Sequence, residues 1–255
     1  MQNNSRPALE TRDVTKRFGR VEALKGISLS VSPGEMLGVL GDNGAGKSTL
    51  MKILSGFHAP TTGEMLVDGE KVVFQSVNQA RSHGIECVYQ DLALINSLSV
   101  YQNMFLNREI LYSKIPWLNQ KEMRRRAAIA LDDIGVTVPS LDEEVGMLSG
   151  GQRQAIAIAR AVASQVKVLL LDEPLAAMGA REQEMIISLL ERLKARGDVA
   201  LIMIAHNYAQ TLDVADKIMM VQRGTCTFES RSADTNVLEL LDVVKREHKR
   251  FEAQT

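Results

Sequence analysis

Apolar and polar positions alternate along much of the first third of the chain. Residues 9–18 and 27–31 follow this period of two approximately, which predicts strands with one buried face. Asp68-Gly69 separates two apolar triplets, a combination that favours a tight β-hairpin turn. The pattern therefore predicts an antiparallel β region near the start of the chain.

Four other segments are almost continuously apolar, namely residues 35–40, 84–89, 166–171 and 199–205. Continuous runs of this length are typical of strands that are buried on both faces of a parallel sheet. Residues 181–196 place their apolar side chains on one helical stripe, and a glycine follows as a helix stop. Strands that alternate with helices in this way predict an α/β core with right-handed crossovers.

Residues 92–165 differ from the rest of the chain. They lack a convincing buried strand and are rich in helix formers, notably over 120–131 and 152–164, so we expect a helical insertion. Further along, residues 219–228 indicate a late hairpin, and residues 236–251 indicate a final amphipathic helix.

These patterns predict a single domain over residues 1–255 that has three parts. Residues 1–91 and 166–232 are expected to form an α/β core with an antiparallel β subdomain. Residues 92–165 are expected to form a helical subdomain, and residues 233–255 a helical tail.

Composition narrows the possible functions. The 30 Lys and Arg residues nearly balance the 31 Asp and Glu residues, so no basic excess favours a nucleic-acid surface. No run approaches the ~18 apolar residues of a membrane-spanning helix, so we expect a soluble protein that reaches a membrane only through a partner. Cys87 and Cys226 lie far apart in apolar, strand-like segments, which indicates two reduced core thiols.

The segment after the first continuous apolar run has the Walker A pattern of phosphate-binding loops. It consists of Gly41, Asp42, Asn43, Gly44, Ala45, Gly46, Lys47, Ser48 and Thr49. Glycines let the backbone approach phosphates closely, and the N–H groups then form an anion-binding nest at a helix N-terminus. We expect Lys47 to reach the β- and γ-phosphates, Ser48 to bind Mg²⁺ and Thr49 to support the α-phosphate. A loop that only turned the chain would explain neither the Lys-Ser pair nor the spacing.

Two acids, Asp172 and Glu173, follow the apolar run 166–171. Unpaired acids at the end of a buried strand are costly, whereas open α/β sheets bind ligands at the carboxyl ends of their strands. We expect Asp172 to hold Mg²⁺, directly or through water, and Glu173 to orient or deprotonate an attacking water. The alternative, an ordinary acidic turn, is disfavoured by the phosphate loop elsewhere in the chain.

Residues 148–154 read Leu-Ser-Gly-Gly-Gln-Arg-Gln. Together with the two motifs above, this segment resembles the signature of ABC-type ATPases, and the resemblance extends from about Leu9 to Phe228. It implies a P-loop NTPase core with a mixed, mainly parallel sheet, an antiparallel β subdomain and a helical signature subdomain. It also implies a subunit that binds and hydrolyses ATP with Mg²⁺ to drive transport.

The resemblance assigns roles to three further residues. Phe18 matches the aromatic position that stacks on adenine, although a Phe that ends a strand is otherwise often a core residue. Gln90 matches the glutamine that contacts Mg²⁺ and the catalytic water and couples the site to the membrane partner. His206 matches the histidine that contacts the γ-phosphate. The other histidines match no family position and are interpreted as surface or packing residues: His58, His83 and His248.

The signature also implies a homodimer. In the family, Ser149 and Gly151 of one subunit contact the γ-phosphate held in the other subunit's phosphate loop. Gly150 and Gly151 allow close approach, and the helix from Gln152 points its positive end at the phosphate. ATP then joins the two copies until hydrolysis lets them part. The family's D-loop aspartate is missing here, because Gly179 stands near its position, and no role is assigned to that loop.

Three segments, residues 41–44, 88–94 and 98–103, resemble bacterial monosaccharide importers of the fructose, ribose and xylose type. This resemblance implies two transmembrane permease subunits and, indirectly, an extracytoplasmic sugar-binding protein. The chain would be peripheral at the cytoplasmic face of the inner (plasma) membrane, held there by the permease. Residues 92–117 are the candidate docking surface; the alternative is a helical subdomain that packs its own side chains, and both can hold.

Two other functions compete with the importer subunit. A non-transport ABC ATPase that acts on nucleic acid or ribosomes usually has coiled coils, duplicated cassettes or basic tracts, and this chain shows none of them. A non-catalytic nucleotide-binding regulator typically lacks residues such as Lys47, Glu173 or His206, and all three are present. The importer subunit is therefore favoured, with no nucleic-acid partner.

Overall fold

The computed structural model describes residues 6–113 and 115–252. Within those ranges the chain alternates strands and helices, with two short 3-10 turns at Val145–Met147 and Ser232–Asp234. In chain order the elements are β1 (Leu9–Phe18), β2 (Val21–Val31), β3 (Met36–Leu40), α1 (Lys47–Leu54), β4 (Thr62–Val67), β5 (Glu70–Val72), α2 (Val77–Ser82), β6 (Ile85–Val88), α3 (Val100–Met104), β7 (Leu111–Tyr112), β8 (Ile115–Leu118), α4 (Gln120–Asp133), α5 (Gly150–Val162), β9 (Val168–Asp172), α6 (Ala180–Arg196), β10 (Ala200–Ile204), α7 (Tyr208–Val214), β11 (Lys217–Gln222), β12 (Thr225–Arg231) and α8 (Val237–Glu252).

A six-stranded sheet with the order β12-β11-β3-β10-β9-β6 forms the centre of the fold. Its neighbours from β11 to β6 are parallel, and β12 pairs antiparallel with β11 at one edge. The four continuous apolar runs are the adjacent parallel strands β3, β10, β9 and β6. The predicted α/β fold with a mixed, mainly parallel sheet is therefore confirmed.

Strand β9 shows why these runs are apolar throughout. Leu169 and Leu171 join a cluster that includes residues of α5 and α6, whereas Val168 and Leu170 join a second cluster that includes residues of α1. Successive side chains of a strand point to opposite faces, so a sheet covered on both faces needs apolar residues at every position. Burial of each such side chain contributes about 1.5–3 kcal/mol.

The antiparallel β region is a second sheet with the order β2-β1-β4-β5. Asp68 and Gly69 join β4 to β5 with φ values of 52° and 77°, as a two-residue hairpin turn of the predicted kind requires. The apolar triplet after the turn, however, contributes only Val72 to the strand. Phe74 instead enters the core, where its ring lies 5.2 Å from that of His83.

The segment 92–165 contains helices α3, α4 and α5, as the composition predicted. It also carries the short hairpin β7–β8, which the pattern did not predict because its apolar residues face solvent. Buried residues of this segment, such as Met123 and Ile156, share one cluster with Leu169 of the core. Its assignment to a separate subdomain, and the other domain bounds, stay predictions.

The later elements follow the predicted pattern closely. Helix α6 buries Ile186 and Leu190 on one stripe and ends at Arg196, and its C-cap residue is Gly197, whose φ is 75°. Cys87 and Cys226 are both free, and burial raises the pKa of the Cys87 thiol to about 12. Among the helices of the described ranges, none combines the length and apolar character needed to cross a bilayer.

Candidate functional site

Three parallel strands end side by side and deliver the candidate residues to one edge of the sheet. Ile204 of β10 pairs with Val39 of β3 on one side and with Asp172 of β9 on the other. The phosphate loop follows β3, Glu173 follows β9, and His206 follows β10 after one residue. Segments far apart in sequence therefore meet at the carboxyl ends of the strands, where open α/β sheets bind ligands.

The loop between β3 and α1 depends on glycines at two positions. A Cβ on Gly41, whose φ is 148°, would lie 2.1 Å from the carbonyl oxygen of Val221. A Cβ on Gly46, whose φ is 111°, would lie 2.8 Å from the carbonyl oxygen of Ala23. Since α1 begins directly after Gly46 and no side chain caps it, its first N–H groups stay available for an anion.

Lys47 is folded back onto this loop. Its ammonium Nζ donates to the carbonyl oxygens of Gly41 at 2.6 Å and Asp42 at 2.9 Å, and the residue is only 6% exposed. Burial lowers the pKa of Lys47, while the charges of Glu173, Asp42 and Asp172 oppose this shift. The ammonium therefore lies within electrostatic reach of both Asp172, which ends β9, and Glu173, which follows it.

Asp172 and Glu173 have different surroundings. Burial is the main cause that raises the pKa of Asp172, and the charge of Glu173 adds to it. Glu173 has a φ of 51°, a sparsely populated conformation for a residue with a side chain. Its N–H donates to the carbonyl oxygen of Ile204 at 3.0 Å, which fixes this backbone against the end of β10.

This backbone directs the carboxylate of Glu173 toward the neighbouring strand end. Oε1 of Glu173 lies 3.3 Å from Nδ1 of His206, a contact that the sequence did not predict. The two side chains line a cavity of about 140 Å³ together with Leu175, Gln183 and others. An acid and an imidazole that share one small cavity are suited to hold a water and move its proton.

The donors that the sequence assigned to Mg²⁺ suit that ion chemically. They are the Ser48 hydroxyl, the Gln90 amide oxygen and the Asp172 carboxylate, and hard oxygen donors of this kind are what Mg²⁺ takes. No group of three or more His, Cys, Asp or Glu side chains converges in the described parts of the chain. A set with one carboxylate matches an ion that keeps several waters and binds substrate phosphates.

Phe18 ends β1 and keeps 44% of its surface exposed. Its ring lies edge-on to that of His58 at 5.3 Å, and the ammonium of Lys16 lies 5.1 Å from the ring centroid. His58 also contacts the ring of Phe57, which agrees with its interpretation as a packing residue. His83 packs on Phe74, which also agrees with its interpretation as a packing residue. The side chain of His248 lies outside the described residues.

The glycine-rich turn at Ser149 precedes helix α5, and side chains of this segment cap the start of the helix. Ser149 Oγ accepts from the N–H of Gln152 at 3.3 Å, and Gln152 Oε1 accepts from the N–H of Ser149 at 3.0 Å. This reciprocal capping box is a strong helix start. The N–H of Gly151 donates to Glu182 Oε1 at 3.2 Å, a partner that the sequence did not reveal.

The far end of the same helix holds the segment after Gln90. Arg160 of α5 donates to the carbonyl oxygens of Leu92 at 2.7 Å and Ala93 at 2.9 Å. Burial lowers the pKa of Arg160. Sequence reasoning missed this residue, because a lone Arg on a helix carries no motif. The contact joins α5 to the loop that carries Gln90.

Comparison with known proteins decides the family. A sequence profile with the description "ABC transporter" matches residues 24–176. The chain belongs to the ABC transporter family. It is 47% identical over 236 residues to a xylose/arabinose import ATP-binding protein of Sulfolobus acidocaldarius, covering 92% of this chain and 93% of the relative. It is 42% identical over 224 residues to a fructose import ATP-binding protein of Rhizobium meliloti, covering 86% of each.

Other relatives of this ABC cassette are longer. A ribose import ATP-binding protein of Lactococcus lactis is 37% identical over 91% of this chain, which spans only 47% of that protein. Among solved structures, the ADP conformation of an ATP-binding cassette of an ABC transporter superposes with a TM-score of 0.82 at 26% identity, covering 94% of this chain and 97% of that one. A dimeric, post-hydrolysis cassette bound to ADP and Pi gives 0.72 at 26%, covering 88% and 98%. The ABC ATPase assignment from the sequence is confirmed.

Proposed function

We propose that this cassette binds and hydrolyses ATP to energise an ABC importer for a simple sugar. The observation that carries the proposal is the meeting of Lys47, Asp172, Glu173 and His206 at one sheet edge. Sugar import is supported by the relatives, which are import ATP-binding proteins for xylose/arabinose, fructose and ribose.

Different residues of the phosphate loop and its surroundings bind different parts of MgATP. The N–H groups at the start of α1 and the Lys47 ammonium take the phosphates, and Phe18 stacks on the adenine. Ser48, Asp172 and Gln90 would hold Mg²⁺, which would neutralise charge on the phosphate oxygens. The carbonyls of Gly41 and Asp42 keep the Lys47 ammonium in the loop until phosphate oxygens replace them.

Glu173 and His206 carry the chemistry. A water in the cavity beside Glu173 attacks the γ-phosphorus, its oxygen forms the new P–O bond, and the bond to the β-phosphate oxygen breaks. Glu173 accepts the proton of the water, and the Glu173–His206 contact holds the carboxylate and imidazole in register with the γ-phosphate. The fixed, positive-φ backbone of Glu173 keeps the base preorganised.

Each chain supplies only half of a complete site. Ser149 is exposed, and Gly150, Gly151 and Gln152 surround an N-terminal helix end that suits a phosphate. Two copies that face each other would place this turn on the partner's ATP, as the family arrangement implies. The dimeric cassette among the similar structures supports a homodimer.

The membrane partners would meet the cassette beside the loop after Gln90. A cavity of about 740 Å³ there is lined by Arg81, Arg108, Arg160 and the buried carboxylate of Glu86, together with other residues. Two transmembrane permease subunits would dock at this face and hold the cassette on the cytoplasmic side of the inner membrane. An extracytoplasmic sugar-binding protein would act on it only through them.

Reconstitution with the permease subunits tests this function. Purified cassette, permease and binding protein are placed in proteoliposomes with MgATP, and phosphate release and sugar uptake are measured together for D-xylose, D-fructose and D-ribose. We expect one sugar-loaded binding protein to stimulate phosphate release and Glu173→Gln to abolish both signals. If neither the permease nor any of the three sugars changes the rate of phosphate release by the cassette, a role in sugar import is contradicted.

A further inference from the structure

The carboxylate of Glu182, in the first turn of α6, lies against the signature turn, residues 149–152, of its own chain. Its Oε1 accepts from the N–H of Gly151 at 3.2 Å. A Cβ on Gly150 would lie 3.8 Å from Oε2 and 3.9 Å from Oε1 of Glu182, so both oxygens face this turn. A carboxylate therefore lies where the positive end of α5 suits an anion.

The donors that Glu182 uses are the ones that the family arrangement gives to the partner's γ-phosphate. Hydrogen bonds from the Gly151 N–H and then from the Ser149 side chain are the two largest causes that lower the pKa of Glu182. Since Ser149 Oγ accepts from the N–H of Gln152, its own proton can point at the carboxylate. Glu182 is ionised at neutral pH, and its two charged oxygens offer these donors the same kind of acceptor as a phosphate.

The contact between Glu182 and the signature turn can be released without loss of either helix. Glu182 is only partly buried, and its Oε2 also accepts from the N–H of Gly179, the N-cap residue of α6, at 3.4 Å. One carboxylate oxygen is enough for that cap, so α6 stays capped when the turn binds another anion. The turn itself is held by packing, since a Cβ on Gly151 would lie 2.9 Å from Cβ of Glu182 and 3.0 Å from Cε of Met185.

We propose that Glu182 is an internal competitor of the partner's γ-phosphate at the signature turn. In the single chain its carboxylate occupies the Gly151 and Ser149 donors. In the ATP-bound dimer the γ-phosphate displaces it, and the carboxylate keeps its bond to Gly179. When phosphate leaves after hydrolysis, the carboxylate returns to the donors and favours separation of the two copies. This inference rests on the proposed homodimer and deepens it.

Removal of Glu182 should therefore strengthen the ATP-bound dimer. Two unit charges about 4 Å apart in water repel each other by an amount equivalent to a factor of about five in an equilibrium constant, and each dimer contains two such sites. We expect Glu182→Ala to lower the dimer dissociation constant by about tenfold or more. Binding of MgATP by the single chain should change by less than about twofold, because Glu182 contacts the turn offered to the partner rather than the phosphate loop.

Light scattering of three variants tests the competition, all in a Glu173→Gln background and with MgATP or MgADP added. They are Glu182→Ala, Glu182→Gln and the control Glu184→Ala, which removes an equal charge from an exposed position two residues along the same helix. With MgATP we expect the dimer to tighten most in Glu182→Ala, less in Glu182→Gln because its amide oxygen still accepts, and not at all in Glu184→Ala. With MgADP, Glu182→Ala should match its parent, because no γ-phosphate competes for the turn.

Hydrogen exchange at the Gly151 amide of the single chain gives a second, local readout. Without nucleotide, exchange should quicken in Glu182→Ala and keep the parent rate in Glu184→Ala. Glu182→Ala also removes the bond to Gly179, so its melting temperature should fall by about 2–4 °C, the usual effect of a lost helix cap in a chain of this length. A variant that melts lower and yet dimerises more tightly distinguishes competition from a structural role.

The outcomes separate this inference from the homodimer on which it rests. If the parent dimerises with MgATP and Glu182→Ala dimerises no more tightly than Glu184→Ala, the proposed competition is wrong and the homodimer stands. Equal exchange of the Gly151 amide in the parent and in Glu182→Ala would also overturn the competition. If the parent stays a single chain at saturating MgATP, the homodimer and the competition are both wrong.

Discussion

The imidazole Nδ1 of His206 lies 3.3 Å from Oε1 of Glu173. The contact joins the ends of two neighbouring parallel strands, since Glu173 follows β9 and His206 lies two residues beyond the end of β10. It places a histidine beside the carboxylate proposed as the general base. Hydrolysis is therefore expected to depend on both side chains, whereas nucleotide binding is expected to depend on neither of them.

His206→Ala and Glu173→Gln test this pairing. Loss of a general base, or of the group that positions it, typically lowers a rate by about 10²–10⁴, and we expect a fall of that size in kcat for phosphate release. The dissociation constant for MgATP should change little. His83→Ala, which removes a histidine packed on Phe74, is the control and should hydrolyse ATP normally. If His206→Ala hydrolyses ATP at the wild-type rate, His206 has no role in hydrolysis.

Asp172 is expected to lower the stability of the nucleotide-free protein. Burial and the Glu173 charge raise its pKa, so ionisation of this group above that pKa opposes folding. Asp172→Asn should therefore raise the melting temperature at neutral pH, by no more than about 4 °C because the half-buried charge is screened by solvent. The gain should shrink as the pH falls through the raised pKa of Asp172.

The same substitution should abolish Mg²⁺-dependent hydrolysis, since it removes the charged oxygen donor. Melting curves between pH 4 and 8, a range that begins near the usual Asp pKa of about 3.9 and extends above it, measure the change in melting temperature. An unchanged or lower melting temperature for Asp172→Asn at pH 8 would contradict the proposed cost of the buried charge.

Arg160 should link the signature helix to the loop that carries Gln90. Arg160→Ala removes the donors to the Leu92 and Ala93 carbonyls, and hydrogen bonds to a charged group are worth about 1.5–3 kcal/mol. We expect basal phosphate release to persist and stimulation by the permease to be lost. Arg125→Ala, an exposed arginine on α4 that pairs with Glu122, is the control and should leave stimulation intact.

Phe18 gives the sharpest test of the adenine position. Stacking of a base on an aromatic side chain is worth about 1–3 kcal/mol, so Phe18→Ala should weaken MgATP binding by about 5–150-fold, and Phe18→Tyr should restore most of it. Phe57→Ala removes the other ring that contacts His58 and is the matched control. Equal affinities for Phe18→Ala and Phe57→Ala would exclude the stacking role.

The sequence predicted those parts of the fold that repeat a simple pattern. Strand β9 is continuously apolar because its residues fill cores on both faces, and that pattern is visible in the residues alone. The hairpin β7–β8 was not predicted because its apolar residues are exposed, for example Trp117 at 72%. Without a buried face, the strands show no alternation of apolar and polar residues. The strand after Asp68-Gly69 stopped at Val72 because Phe74 packs beside His83 instead.

The site was predictable to the extent that its residues lie in motifs. Walker-type spacing identified Lys47 and Asp172 as candidates, but it carries no information about the side-chain contacts between distant segments. The Glu173–His206 and Gly151–Glu182 contacts depend on how strands and helices are placed beside one another. The positive φ of Glu173 likewise accompanies a hydrogen bond to the end of β10, a contact that no local pattern encodes.

Sedimentation of the Glu173→Gln protein tests the central claim that two copies complete each site. With saturating MgATP we expect a species of twice the 28.1 kDa chain mass, and a single chain without nucleotide. Adding Ser149→Arg should abolish the dimer while MgATP binding persists, because the bulky side chain fills the turn offered to the partner's phosphate. Two results would contradict the account. One is a dimer that forms equally with and without nucleotide and with Ser149→Arg, and the other is a single chain at saturating MgATP.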